Sequence, residues 1–149
     1  MSSDQLVVLS TNLNKKYEVL EELGCGMHAV VFKAQSVLDG NFYALKVSRK
    51  TRLRSKREAQ NKALLNESEI LKTLSHKNII KFFEVFEESS KIHVVLELII
   101  GGELFHYLSL HKGITEWESQ SFARQILNGI CYIHNLNVAH LDLKVPFSS

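Results

Sequence analysis

Near its far end the chain reads His140-Leu141-Asp142-Leu143-Lys144, directly after an apolar-periodic run that closes with Ile133-His134-Asn135. That placement puts the pentapeptide on a loop behind a long helix. A carboxylate held there can take a proton from a hydroxyl, and a Lys two positions on can steady a phosphoryl group in transit. A polar loop after a helix accounts for the same residues equally well. A second candidate lies far upstream, where Gly24-Cys25-Gly26-Met27-His28-Ala29 separates two apolar runs. Glycines in a turn permit close backbone approach, so amide N–H groups can cover a phosphate chain. An ordinary glycine hairpin competes with that reading. Lys46 stands among apolar neighbours in Ala44-Leu45-Lys46-Val47, where an edge lysine is the common explanation. Its position after a glycine hairpin and a second turn favours a binding role instead.

The elements that must position these residues follow from periodicity. Tyr17 to Leu23 is a strand candidate, and Val30 to Ala34 reads as its antiparallel partner across the glycines. A dinucleotide-binding turn is excluded because a strand, not a helix, follows. Asp39-Gly40 makes a hairpin turn, and Asn41 to Val47 is the next strand. Arg49 to Arg57 is a dense basic run, a solvated loop or a docking patch. Ser55-Lys56-Arg57-Glu58 has capping-box spacing, opening a helix whose apolar stripe is Ala59, Ala63, Leu64, Ile70, Leu71 and Leu74. Glu67 and Glu69 both lie on that helix and are read alike as surface salt-bridge formers. Two further strands, Lys81 to Glu87 and Lys91 to Leu98, complete an antiparallel sheet with a helix across one face. Ile99 to Phe105 looks like a hinge. A helix from about Glu103 to His111 stops at Gly113, a suitable residue beyond a helix end. Thr115 to Glu118 caps the next helix, whose stripe is Phe122, Ile126, Ile130 and Ile133. Trp117 and Cys131 are expected to pack rather than do chemistry.

Composition bounds the class. The 149 residues, 45% hydrophobic and 23% charged, suit one soluble globular domain. A formal charge of +2 makes no general case for nucleic acid. Cys25 and Cys131 form no disulfide framework, the histidines show no metal spacing, and a reducing compartment is the default. No run approaches membrane-spanning length. A cytoplasmic or nuclear location is expected. Residues 1–16 read as a polar leader.

Taken together, the glycine hairpin, strand Lys, helix Glu, apolar fifth strand, Gly101-Gly102-Glu103 hinge and H-x-D-L-K loop occur in the order found in serine/threonine protein kinases. The chain from about Tyr17 to Lys144 resembles that family, within it the death-associated protein kinase group. The basic run, Ala29 in the third glycine slot and the non-Arg residue before Asp142 carry the closer likeness. Myosin light-chain kinases share H-L-D-L-K. The resemblance implies an α+β, protein-kinase-like fold: a five-stranded antiparallel N-lobe with helix C (about 17–98), a hinge (about 97–102) and the first helices of an incomplete C-lobe (about 103–144). It further implies ATP as cofactor, with Gly24, Gly26 and Val31 over it, and Ala44 and Lys46 contributed by the third strand. Lys46 would hold the α/β-phosphates, with Glu67 rather than Glu69 as its partner. Leu96 is the implied gatekeeper; Glu97 and Leu98 offer backbone contacts to adenine, and Glu103 faces the ribose. Asp142 is the implied base toward a Ser or Thr hydroxyl of a protein substrate, and Lys144 the phosphoryl-stabilising cation.

The pattern also breaks. Leu141 replaces the usual Arg, removing the partner of a phosphorylated activation loop. Val145-Pro146-Phe147 replaces the continuation toward the Mg²⁺-binding Asn, and neither D-F-G nor A-P-E follows. Residues 145–149 read as a divergent tail, and these 149 residues are expected to be inactive as they stand. The alternative is a non-catalytic nucleotide- or partner-binding fragment whose basic run 49–57 meets an acidic partner or an anionic membrane.

Overall fold

The computed structural model describes residues 12–26, 29–50, 57–102, 104–110 and 113–143. In chain order these form β1 (Tyr17–Cys25), β2 (Ala29–Ser36), β3 (Phe42–Arg49), α1 (Arg57–Thr73), β4 (Phe82–Glu87), β5 (Lys91–Glu97), α2 (Leu104–Leu110) and α3 (Glu116–Asn135). The five strands make one antiparallel sheet in the order β1-β2-β3-β5-β4. The chain divides into two compact units. The first takes the described residues up to Thr73 together with Phe82–Leu98; the second takes Leu74–Lys81 with the described residues from Ile99 on.

In the first unit the central strands β3 and β5 carry the apolar runs, and β1, at an edge, is mostly exposed. Side chains alternate along a strand, so β3 sends Leu45 and Val47 to one face and Ala44 and Lys46 to the other. The first face holds the core: Leu13, Tyr17, Ala34, Leu45, Val47 and Val95, flanked by Val19, Phe32, Tyr43 and Phe86. Leu13, at 0% exposure, lies within the stretch read from sequence as a leader, so packing begins before β1. Tyr17 stacks edge-on against Tyr43 and Phe86. Its hydroxyl donates to Glu84 Oε1 at 2.6 Å, and Lys16 Nζ reaches Glu84 Oε2 at 2.7 Å. Because β1 and β4 are opposite edges of the sheet, these contacts mean that it curls until its edges meet over one face.

α1 packs on β4 and β5. Its packed side is only partly the expected stripe: Leu64 and Leu71 of that stripe are half-buried, with Leu65 beside them, but Ser68, 2% exposed, is the helix's most buried described residue, and Ala63 and Ile70 face out. Ser68 tolerates that position because its Oγ donates back to the Leu64 carbonyl at 3.2 Å. The most buried place on the helix thus falls to a serine that the expected stripe did not include. The proposed cap Ser55 and the middle of the basic run lie outside the described residues. Of that run, Arg49 ends β3 and Lys50 pairs with Glu87.

In the second unit, Thr115 caps α3 with both capping-box bonds, Glu118 N to Thr115 Oγ1 at 3.2 Å and Thr115 N to Glu118 Oε2 at 2.9 Å. The segment 74–81 lies along α3: Ser75 N donates to Tyr132 Oη at 2.8 Å, and the His76 ring stacks on Tyr132. Gly129 makes this approach possible, since a Cβ there would stand 3.1 Å from the Asn78 carbonyl oxygen. α2 meets α3 through Tyr107 and Phe122. The expected stripe is only partly inward. Ile133 is buried and Phe122 and Ile130 are half-buried, but Ile126 is exposed although it lies on the same helical line as Gly129 and Ile133. Trp117 and Cys131, expected to pack, are exposed as well, lying off that line. Among the described residues no helix is long and apolar enough to cross a membrane.

Candidate functional site

The glycine turn is tighter than its sequence suggests. β1 continues through the first glycine, pairing Gly24 with Val31 and Cys25 with Val30, and Gly26 N donates to the Ala29 carbonyl at 2.8 Å. Irregular register between Val19 and Gly24 bends β1 on its way to the turn. Neither Gly24 nor Gly26 is forced by its own fold. Both avoid the left-handed region, a Cβ on Gly24 would meet nothing within 4 Å, and one on Gly26 only the Ala29 oxygen at 3.7 Å. What the two glycines provide is bare backbone over the start of β2.

Below that turn, one face of the sheet collects the binding candidates. Val31 on β2 and Val94 on β5 flank Lys46, while Leu96 flanks Ala44. Ala44 and Leu96 are buried, making an apolar wall beside the ammonium group. Lys46 Nζ lies 2.7 Å from Glu67 Oε1. Glu67 reaches it because it immediately precedes Ser68 on α1, at the rim of the packed side. Glu69, one residue past Ser68, turns the other way and sits 3.9 Å from Lys72. With side-chain exposures of 31% and 50%, the Lys46–Glu67 pair is an accessible ion pair, of the kind that contributes about 0–1 kcal/mol to stability. What it does provide is orientation: a cation held at a fixed point below the glycine turn and next to an apolar wall. Glu97 ends β5, exposed, with Leu98 half-buried after it. Gly24, Gly26, Val31, Ala44, Lys46, Glu67, Leu96, Glu97 and Leu98 therefore all belong to the first unit.

Asp142 belongs to the second. It is exposed, its backbone N–H donates to His140 Nδ1 at 3.3 Å, and Leu141 between them takes a left-handed φ of 59°. A leucine in that region is costly, and such backbone is seen where surrounding structure over-determines it. The turn points the Leu141 side chain outward, 95% exposed. Glu103 and Lys144 lie outside the described residues. Among the described residues, no three His, Cys, Asp or Glu side chains are grouped as a metal site.

Sequence reasoning missed the glutamate–histidine contact inside the sheet, where His93 Nε2 lies 2.8 Å from Glu88 Oε1. Alternation within an apolar strand was the available signal, because it sends His93 to the same face as Val95.

Comparison with known proteins agrees with this geometry. Residues 17–146 match the model of the protein kinase domain. Human death-associated protein kinase 2 is 38% identical over 129 residues, covering 86% of this chain and 35% of that protein. Calcium/calmodulin-dependent protein kinase type 1 of Caenorhabditis elegans is 35% identical over 136 residues, 91% of this chain and 38% of its own length. Human NUAK family SNF1-like kinase 2 is 38% identical over 134 residues, 90% of this chain and 21% of its own length. The chain thus spans between 21% and 38% of these three relatives.

Proposed function

The chain belongs to the serine/threonine protein kinase family, and from that premise we propose that its first unit binds ATP through the face that carries Lys46. The 2.7 Å contact between Lys46 Nζ and Glu67 Oε1 carries this reading. An ammonium pinned by one carboxylate retains N–H donors that can be aimed at phosphate oxygens, and family pattern assigns it the α/β-phosphates. Gly24 and Gly26 supply backbone that comes close to the phosphates, for which the protein's own packing gives no other reason. Val31, Ala44 and Leu96 would enclose the adenine ring. The backbone of Glu97 and Leu98 would contact its edge, and Glu103 the ribose. The family works with ATP and Mg²⁺; the described residues bring together no ligand set for the ion.

In the whole protein, the bound nucleotide supplies the phosphoryl group. Asp142 orients a Ser or Thr hydroxyl of a protein substrate and takes its proton, and Lys144 steadies the group in transit. The 149 residues alone are expected to bind nucleotide without turnover, because Val145-Pro146-Phe147 stands where the family pattern runs to its Mg²⁺-binding Asn.

The test compares ATP with adenosine by calorimetry on the chain and on Lys46→Met. Loss of a charged donor should weaken ATP roughly ten- to hundredfold and leave adenosine unchanged. Equal ATP affinity for the two proteins would sink the reading.

A further inference from the structure

We propose that His93 makes the first unit acid-sensitive: it is built into the sheet as a neutral imidazole, and adding a proton to it loosens the packing around β5. His93 is 0% exposed, inside the strand that lies between β3 and β4. Its cross-strand neighbours are Val47 on β3 and Phe86 on β4, both apolar. Nε2 lies 2.8 Å from Glu88 Oε1, on the turn between β4 and β5. Nδ1 is buried with no hydrogen-bond partner, and Nε2, for all its closeness to the carboxylate, is not aligned with it as a hydrogen bond. A carboxylate this close favours the neutral ring with its hydrogen on Nε2 rather than a lone pair there, which leaves Nδ1 bare. A second proton must go to Nδ1, where nothing accepts it.

The surrounding charges do not remove that obstacle. Glu88 favours the cation, but it touches only the nitrogen that already carries a hydrogen. Lys91, on the same strand, disfavours it. On the face that His93 shares with Val95, Glu84 of β4 is engaged by Lys16 and Tyr17, and Glu87 at the end of β4 is engaged by Lys50 beyond the end of β3; Lys46 and Glu67 lie on the other face of the sheet. Burial first, and then Lys91, outweigh Glu88 and hold the imidazole below its ordinary value of 6.5.

The sign follows from linkage. A histidine that is harder to protonate folded than unfolded costs nothing above pH 6.5. Below it the unfolded chain takes up a proton that the folded one refuses. Stability is therefore retained above the unfolded value and lost as pH falls below it. The loss approaches tenfold in the folding constant per pH unit until the folded value is reached.

The experiment is urea unfolding of the full chain at pH 7.5 and 5.5, for the natural sequence and for His93→Leu. The natural chain should lose up to roughly tenfold in its folding constant over this interval beyond any loss shown by His93→Leu. Equal losses in the two proteins overturn the proposal. The second measurement needs no substitution and so does not depend on the folding of a variant: the assigned imidazole resonance of His93 is followed by NMR from pH 8 to 5. A resonance that stays in its neutral position through pH 6.5 supports the proposal, and one that titrates at or above 6.5 overturns it.

Discussion

At the scale of single residues, the informative contrast is between two glutamates two positions apart. Helical register separates them: Glu67 sits before the buried Ser68 and reaches Lys46, while Glu69 sits after it and faces Lys72. Glu67→Gln should weaken ATP binding while shifting stability by no more than about 1 kcal/mol, the scale of an exposed pair; Glu69→Gln should change neither, as titrations and melting curves on the same samples will show. A comparable effect from both substitutions would return Glu67 to the status of an ordinary surface charge. The chemistry-bearing residues were legible because their types are improbable in their settings, a lysine between apolar strand residues above all. Ser68 was not, since the sequence alone gives no sign that a serine will bond to its own helix; for His93 alternation gave the face but not the glutamate that meets it there. Asp39 is a third case in which backbone geometry sets the chemistry. The Asn41 N–H donates to its carboxylate, Ser36 and Tyr43 add hydroxyl bonds, and the carboxyl is held down at about 2. A depressed carboxyl contributes stability above its unfolded value of 3.8 and loses it as pH falls toward about 2. The difference in melting temperature between the natural chain and Asp39→Asn should therefore shrink from pH 5 to pH 2; a constant difference would show that the turn does not depend on this charge.

Elements were easier to read than the faces they bury. The strands were visible from alternation and from the Asp39-Gly40 turn, and α3 from its T-x-x-E start, because these signals are local. Which side of α1 or α3 turns inward depends on what comes to lie against it, and that partner is distant in sequence. Gly129 shows the difficulty. In a mid-helix position it reads as a flaw, about 1 kcal/mol worse than Ala in helix propensity, yet it is the residue that admits the segment 74–81. Gly129→Ala gains that propensity but places a methyl 3.1 Å from the Asn78 carbonyl. That carbonyl cannot easily withdraw, since Ser75 and His76 hold the segment to Tyr132. Gly129→Ala is expected to leave the melting temperature unchanged or lower it, and Gly129→Leu to lower it clearly. A rise with alanine would mean that the segment yields freely and that Gly129 has no packing role.

Across the whole chain, the first unit is closed by contacts that local reading could not foresee. The curl of the sheet is held where Tyr17 meets Glu84, 67 positions apart, and where Leu13 fills the space beneath. A short stretch without a sustained period looks like a leader until the two edges of the sheet are known to converge on Leu13. Removing the Leu13 side chain should leave a cavity in the core and cost about 2–5 kcal/mol, a large share of the stability of a small unit. Tyr17→Phe keeps the ring and its edge-on contacts with Tyr43 and Phe86, and removes only the hydroxyl. Its expected cost is about 1–3 kcal/mol, since Glu84 loses a short bond to a part-buried donor but keeps Lys16. The burial that raises the Tyr17 hydroxyl's pKa, with Glu84 adding to it, also keeps the phenol protonated at neutral pH, so it acts only as a donor. Urea unfolding of Leu13→Ala, Tyr17→Phe, Glu84→Gln and the Tyr17/Glu84 double variant separates these contributions. If the edges are clasped as described, Leu13→Ala is the most damaging single change, and the Tyr17 and Glu84 substitutions are less than additive because they remove the same bond. Strict additivity would mean that the two side chains act independently and that the curl is held by the apolar core alone.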